Sequence, residues 1–422
     1  MAATLLGPLA VRFTEQAGSL WAQTRPVPPA RYDLLIRGGT VIDPAAGVSG
    51  LRDIAISGSK VARVAASIPA EEARAVIDAT RRIVTPGLID LHTHVYDGVA
   101  PLGIPADPNC IAKGVTTALD AGSAGAHTFP GLRHFVIERA ATRIYALLNI
   151  SVIGQSSMSP ANPHGELLDL RYANPKLAIE TIERNRDVIL GVKVRLTRTI
   201  AGDHDIEALK LAREAADAVN LPLMVHIGGT ASPLPKILAE LKGGDVITHS
   251  FHGHPGGVID ASGRVLPEVR RAVDRGIRLD IGHGAGSFAF STAEKALAQD
   301  LLPGTISSDV HQWNYGGPVF DLATTLSKFL HLGLTLDQVI ARATANPAAT
   351  FGFPKGLGTL REGAEADVAI FQLDEGDFRL RDSMGEIRTG GRLLRPVATV
   401  KAGHLYGGAT IPVAGSELQY RR

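Results

Sequence analysis

Two histidines one residue apart close an apolar run, Thr85-Pro86-Gly87-Leu88-Ile89-Asp90-Leu91-His92-Thr93-His94. On a strand, residues i and i+2 point to one side. His92 and His94 therefore share a face and can hold one cation. A bare His-x-His reads equally well as two solvated side chains, but the preceding Pro-Gly-Leu-Ile-Asp favours ligands. Lys193 lies inside a second apolar run, Gly191-Val192-Lys193-Val194-Arg195. A buried lysine is costly unless paired or modified. Beside cations its neutral amine can take up CO2, and the resulting carbamate is an anionic oxygen ligand able to bridge two metals. A solvent-facing lysine is the plainer alternative.

His226 and His249 each end an apolar run and are twenty-three residues apart, the length of one strand–helix unit. Each alone reads as a core histidine. Asp309, in Ser307-Ser308-Asp309, alone reads as a helix cap. In this company it reads as a metal ligand and proton shuttle. Three further residues are weaker candidates for substrate contacts. Tyr96 follows the histidine pair and can donate to an oxyanion or simply pack. Arg195 shares the face of Lys193 and can bind a substrate carboxylate or form a structural ion pair. His283 stands in a glycine-rich turn and can contact substrate or order that turn.

These residues need a scaffold that brings strand ends together. From about 83 to 353, apolar runs at 144–150, 192–196, 221–227, 245–248, 277–281 and 305–308 alternate with helical stretches such as 206–219, 234–241 and 267–275. Repeated strand–helix alternation predicts a (β/α)8 TIM barrel over 83–354. Short strands at 34–37, 53–56 and 60–64 are matched by strands at 367–371 and 397–400, with Gly408 closing the pattern. Together they predict a small β-sandwich domain built from both chain ends, 32–82 plus 355–413. An N-terminal extension, 1–31, and a tail, 414–422, flank them.

The chain has 422 residues, with 43 Lys plus Arg against 42 Asp plus Glu. That balance leaves no electrostatic footprint for nucleic acid or an anionic membrane. No run approaches the roughly 18 apolar residues of a membrane span. The single cysteine, Cys110, excludes a disulfide framework and a cysteine-rich zinc site. A short apolar stretch at 5–11, followed by Leu20-Trp21-Ala22-Gln23, resembles the end of an export signal, but no Lys or Arg precedes it. A cytoplasmic location is expected, with export as the alternative.

The six residues resemble the site of the amidohydrolase superfamily, and the likeness spans nearly all of 32–410. More closely, the chain resembles the bacterial amidohydrolase/deacetylase family of binuclear metallohydrolases. His92-Thr93-His94-Val95-Tyr96, Asp120-Ala121-Gly122-Ser123-Ala124-Gly125, Gly191-Val192-Lys193-Val194-Arg195 and Asp280-Ile281-Gly282-His283-Gly284-Ala285-Gly286-Ser287-Phe288 carry it. So do Ser307-Ser308-Asp309-Val310-His311, Gly317-Pro318-Val319-Phe320-Asp321-Leu322 and Asn346-Pro347-Ala348. The resemblance implies two divalent ions, usually zinc. His92, His94 and Asp309 would hold one, His226 and His249 the other, and carboxylated Lys193 would bridge them. Manganese and iron also suit such donors.

The activity implied is hydrolysis of a linear amide or ester in a small molecule, such as an N-acyl amino acid or an O-acetyl hydroxy acid. Two cations would acidify a water between them, and Asp309 would carry its proton to the leaving group. A cyclic amidohydrolase of the dihydroorotase or hydantoinase kind is the alternative. A non-catalytic assembly relative is the remote one, and the presence of all six ligands argues against it. Deaminase chemistry is disfavoured, because mononuclear deaminases do not use a lysine on the fourth strand. A homo-oligomer is expected. The loops at 155–171 and 253–257 depart from the family pattern, and they put substrate choice in doubt.

Overall fold

The computed structural model describes residues 30–407 apart from 160, together with 413–414. The expected extension up to residue 29, Gly408 and the tail beyond 414 lie outside the described residues.

Both chain ends enter one nine-stranded sheet. Its first strands are β1 (Tyr32–Asp43), β2 (Val48–Ser57), β3 (Lys60–Ala65), β4 (Ala73–Asp78) and β5 (Ile83–Pro86). Strand β1 pairs with β2 along its length. Its other edge is shared: Tyr32 to Arg37 pair with β4, whereas Thr40 and Val41 pair with β5. The sheet therefore forks at β1.

A second, seven-stranded parallel sheet follows. Its strands are β6 (Leu88–Thr93), β7 (Val115–Gly125), β8 (Arg143–Asn149), β9 (Ile189–Arg195), β10 (Leu223–His226), β11 (Val246–Thr248) and β12 (Arg278–Leu279), paired in chain order. Every residue of β6, β7 and β9 is buried. That is the signature of parallel strands covered on both faces. The helix Asp205–Val219 shows how the cover is made. It buries Ile206, Leu209, Ala212, Ala216 and Val219, one face of a 3.6-residue period.

The apolar run at 305–308 forms no regular strand. It makes isolated parallel bridges instead, Asp280 with Thr305 and Thr93 with Val310. The physical reason is the backbone at Asp309, whose φ of 48° is left-handed and interrupts a ladder.

The chain then returns to the first sheet with β13 (Val368–Arg381), β14 (Ile387–Lys401), β15 (His404–Gly407) and β16 (Val413–Ala414). β13 pairs with β5, so the two ends meet across nearly the whole sequence. The β13–β14 hairpin is far longer than the apolar runs at 367–371 and 397–400 suggest. Its outer half mixes charged, exposed positions with a few apolar ones, such as Phe378, Leu380 and Leu394, which pack against the core. Cross-strand pairs such as Arg395 with Asp374 hold it, and Ser327 Oγ accepts from Leu394 N. Its tip reaches the turn after β12. Asp382 Oδ2 accepts from Phe290 N at 2.9 Å, and Ser383 Oγ lies 2.8 Å from Gly284 O. Among the described residues, no helix is long and apolar enough to cross a membrane.

Asp43, at the end of β1, ties the first sheet to the segment before β13. Its carboxylate accepts from Leu360 N at 2.6 Å and from Thr359 Oγ1 at 2.9 Å. Asp43→Ala leaves the buried Leu360 N–H unmet. Denaturant titration is expected to show a loss of about 1–3 kcal/mol.

Candidate metal centre

The strand ends bring His92, His94, Lys193, His226, His249 and Asp309 to one buried cluster. All six line a cavity of about 160 Å³. His92, His249 and Asp309 place ligand atoms within 4.8 Å of one another. This tight group crosses the two sets expected from sequence, which gave His249 to the other ion.

Three of the four imidazoles are oriented from behind. His92 Nδ1 lies 2.8 Å from Thr248 Oγ1, which donates to Asp280 Oδ2. The hydroxyl proton is thus committed, so His92 Nδ1 carries the hydrogen and Nε2 keeps its lone pair. His249 Nδ1 donates to Gly282 O at 2.6 Å, which likewise frees Nε2. That Nε2 lies 2.8 Å from His226 Nδ1. His94 Nδ1 contacts Ser123 Oγ at 2.9 Å, and Ser123 N donates to Asp120 Oδ1. Partners of this kind fix ring orientation and tautomer in metal sites. Burial pushes these imidazoles below their usual range, His94 to about 3. They stay neutral, with lone pairs available.

Lys193 is fully buried on β9. Its Nζ lies 3.4 Å from His92 Nε2 and 3.3 Å from Met224 Sδ. No carboxylate forms an ion pair with it among the described residues, and burial pushes its ammonium down to about 7. Room for its stem comes from Gly122, where a Cβ would fall 2.7 Å from Lys193 Cβ.

Asp309 is held by its backbone N–H, which donates to His92 O. Its Oδ1 lies 3.2 Å from His94 Nε2 and 3.5 Å from His92 Nε2. Yet this buried oxygen makes no hydrogen bond among the described residues. Burial raises its carboxyl to about 6. Neutral imidazole lone pairs and an orphaned carboxylate oxygen facing one point form a donor set that suits divalent cations. Asp90 supports the same wall, its carboxylate accepting from Ser308 Oγ and from the backbone of His92 and Ser308.

The weaker candidates separate. Arg195 reaches the cavity wall, where its Nη1 donates to Glu166 Oε2 at 3.0 Å. Burial holds the Glu166 carboxyl above its usual range even beside that guanidinium. Tyr96 and His283 are not brought to the cluster. The Tyr96 hydroxyl donates to Thr128 O and borders a different cavity. His283 Nδ1 lies 2.9 Å from Gly284 O, and its Nε2 lies 2.6 Å from Lys328 Nζ. Lys328 is itself buried and pushed down to about 7 by desolvation. Both rings are thus committed to partners remote in sequence.

Sequence reasoning did not single out Gln155, Glu166, His311 or Trp313 as part of this surrounding. All but Glu166 line the cluster's cavity. Glu166 lines an adjoining space of about 290 Å³, which shares Arg195 and His226 with the first. The signals were weak: Gln155 and Glu166 fall in the unmatched loop at 155–171, and His311 ends the Ser307–His311 segment that carries the family resemblance.

A model of the amidohydrolase family matches residues 83–405. The chain is 36% identical over 345 residues to a deacetylase of Agrobacterium fabrum, covering 82% of this chain and 84% of that protein. It is also similar to a crystal structure of an adenine deaminase, with a TM-score of 0.82 and 35% identity, over 89% of this chain and 100% of that one. A crystal structure of a dihydroorotase gives a TM-score of 0.80 at 34% identity, over 89% and 97%. The chain belongs to the amidohydrolase family. It is a hydrolase acting on carbon–nitrogen bonds.

Gly282 has a φ of 47°, and a Cβ there would lie 2.3 Å from Thr248 Oγ1 and 2.9 Å from Nδ1 of both His92 and His249. Gly282→Ala therefore disturbs two rings without removing a ligand. Metal affinity, measured by competition with a chelator, is expected to fall roughly 10–100-fold.

Proposed function

We propose that this chain is a binuclear metallohydrolase that removes an acyl group from a small linear amide or ester, in the manner of a deacetylase. The observation that carries this reading is the buried Lys193, which has no ion-pair partner among the described residues, set among four neutral histidines and the orphaned Asp309 Oδ1. We assign His92, His94 and Asp309 to one cation, His226 and His249 to a second, and carboxylated Lys193 to the bridge. The segment at 305–310, bridged to β12 and β6, is read as the eighth strand of a (β/α)8 barrel over 83–354. The sheet from the two chain ends is its β-sandwich companion.

Bound there, two divalent cations, expected to be zinc, would supply the Lewis acidity that polarises a carbonyl and acidifies water. The protein's own groups supply the rest. Lys193 in its amine form adds CO2 and releases a proton, which turns a misplaced cation into an anionic ligand. Asp309 accepts the proton of the attacking water and returns it to the leaving nitrogen. An amide needs that return, because its nitrogen leaves poorly unprotonated. Arg195 keeps guanidinium surface at the cavity wall and is assigned to a carboxylate on the substrate. Tyr96 and His283 are given no substrate contact, since both are committed elsewhere.

The deacetylase of Agrobacterium fabrum supports the linear substrate. The likeness to a dihydroorotase structure favours a cyclic amide as the second reading. A screen of N-acetyl amino acids, O-acetyl hydroxy acids and cyclic imides against metal-loaded protein separates the two.

Metal analysis is expected to find about two ions per chain, and protein that binds none would sink the proposal. Lys193→Ala is expected to lose metal and turnover together, with partial rescue by a short carboxylic acid; wild-type turnover there would rule out the carbamate bridge. Asp309→Asn is expected to keep part of its metal while turnover drops by at least about 100-fold. Unchanged turnover would remove Asp309 from proton transfer.

A further inference from the structure

Gln155 lies in the loop after β8 and is fully buried. Both ends of its amide, Oε1 and Nε2, are buried without a hydrogen-bond partner among the described residues. The side chain nevertheless lines the same cavity as His92, Lys193 and Asp309. Its backbone is fixed on both sides. Gln155 N donates to Ser123 O, and Gln155 O accepts from Met158 N, each at 3.0 Å. Ser123 is also the residue whose hydroxyl meets His94. The residue that orients a cluster histidine thus anchors Gln155 as well.

An unmet buried amide is destabilising in the free protein. A carboxamide carries an acceptor and a donor side by side. Its acceptor can take the N–H of a trans secondary amide, while its donor meets a second oxygen on the same side of the substrate, such as that of a carboxylate. An ester offers acceptors alone and would leave Oε1 unmet. We infer that Gln155 binds the acyl-amide group of the substrate, with Oε1 accepting its N–H and Nε2 donating to a substrate oxygen, and that it selects amides over esters. This rests on the hydrolase reading above and narrows its substrate class to N-acyl compounds.

The test uses matched pairs, N-acetyl amino acids and their O-acetyl hydroxy-acid isosteres, which differ only in NH against O. Wild-type protein is expected to prefer the amide of each pair. Gln155→Met keeps length and bulk but neither hydrogen-bonding group. It is expected to lower kcat/KM for the amides by roughly 10–100-fold and for the esters by clearly less. The amide-to-ester ratio should shrink about tenfold or more. Equal losses on both, or none, would overturn the inference. The thermal midpoint of Gln155→Met should equal or exceed that of wild type, because two unmet groups are gone. A marked fall would assign Gln155 to packing instead. Binding isotherms of the same pairs in the Asp309→Asn background give a readout free of turnover, and Gln155→Met should weaken the amide alone. Amide-selective binding through Gln155 without cleavage of any pair would keep this inference and overturn the hydrolase reading. Cleavage of both kinds with an unchanged ratio would overturn this inference and keep that reading. If no pair is bound or cleaved, both fall.

Discussion

The constraint on which the rest of the structure depends is a shortage of counter-charge. Four imidazoles, one amine and a single carboxylate converge on one small cavity. Among the described residues only two hydrogen bonds join them, His226 Nδ1 with His249 Nε2 and Lys193 Nζ with His92 Nε2. Their lone pairs face inward, Asp309 Oδ1 is unmet, and burial drives the amine and imidazoles toward neutrality. Such an arrangement works against folding. The surroundings offset it by holding each group from its far side. Asp280 acts through Thr248, Asp120 through Ser123, and Gly282 through its carbonyl. The backbone contributes as well. His249, just after β11, and Asp309, just after the run at 305–308, both adopt left-handed φ values, 67° and 48°. Residues other than glycine occupy that region at some cost, and such strain gathers at functional sites.

The wall of the cavity obeys the opposite rule. Arg195 and Glu166 are nearly as buried as the cluster, yet they face each other as a formal ion pair. The pair leaves that side of the cavity close to neutral while keeping guanidinium surface at its edge. The centre is thus poor in anions and its wall is balanced. A ligand entering from the larger adjoining space meets the balanced surface first.

Much of the cluster is legible in sequence because strand geometry is periodic. His92 and His94 share a face by the i, i+2 rule, and Lys193, His226 and His249 sit at or near the ends of apolar runs that become β9, β10 and the segment closing β11. What the sequence hides is decided by contacts across long separations. His283 stands in a promising turn, but Lys328 on a later helix claims its Nε2. Tyr96 follows the histidine pair, but its hydroxyl is taken by the carbonyl of Thr128. Nothing near either residue in the chain announces those partners. Gln155 and Glu166 lie in a loop without apolar period, so only the fold brings them to the cavity. The β13–β14 hairpin outruns its apolar core for a related reason. Its distal half is stabilised by polar cross-strand pairs and by packing against the helix Leu322–His331. Asp309 ends the last apolar run in a left-handed turn, which is why that run reads as a strand in sequence and pairs only through isolated bridges.

The union of the two chain ends has a consequence in time. β5 is complete by residue 86, but its neighbour β13 begins at residue 368. A ribosome making this chain must release almost all of it before that edge is covered. Until then a strand edge stands unpaired, and unpaired edges in partly folded chains are prone to stray association. The same late hairpin delivers Asp382 and Ser383 to the turn that borders the cluster. The parallel sheet with its histidines can therefore be synthesised well before that turn is held in place. Long-range pairing of this kind also slows folding. The nascent enzyme passes through a stage in which its ligands exist but the frame that aims them is unfinished.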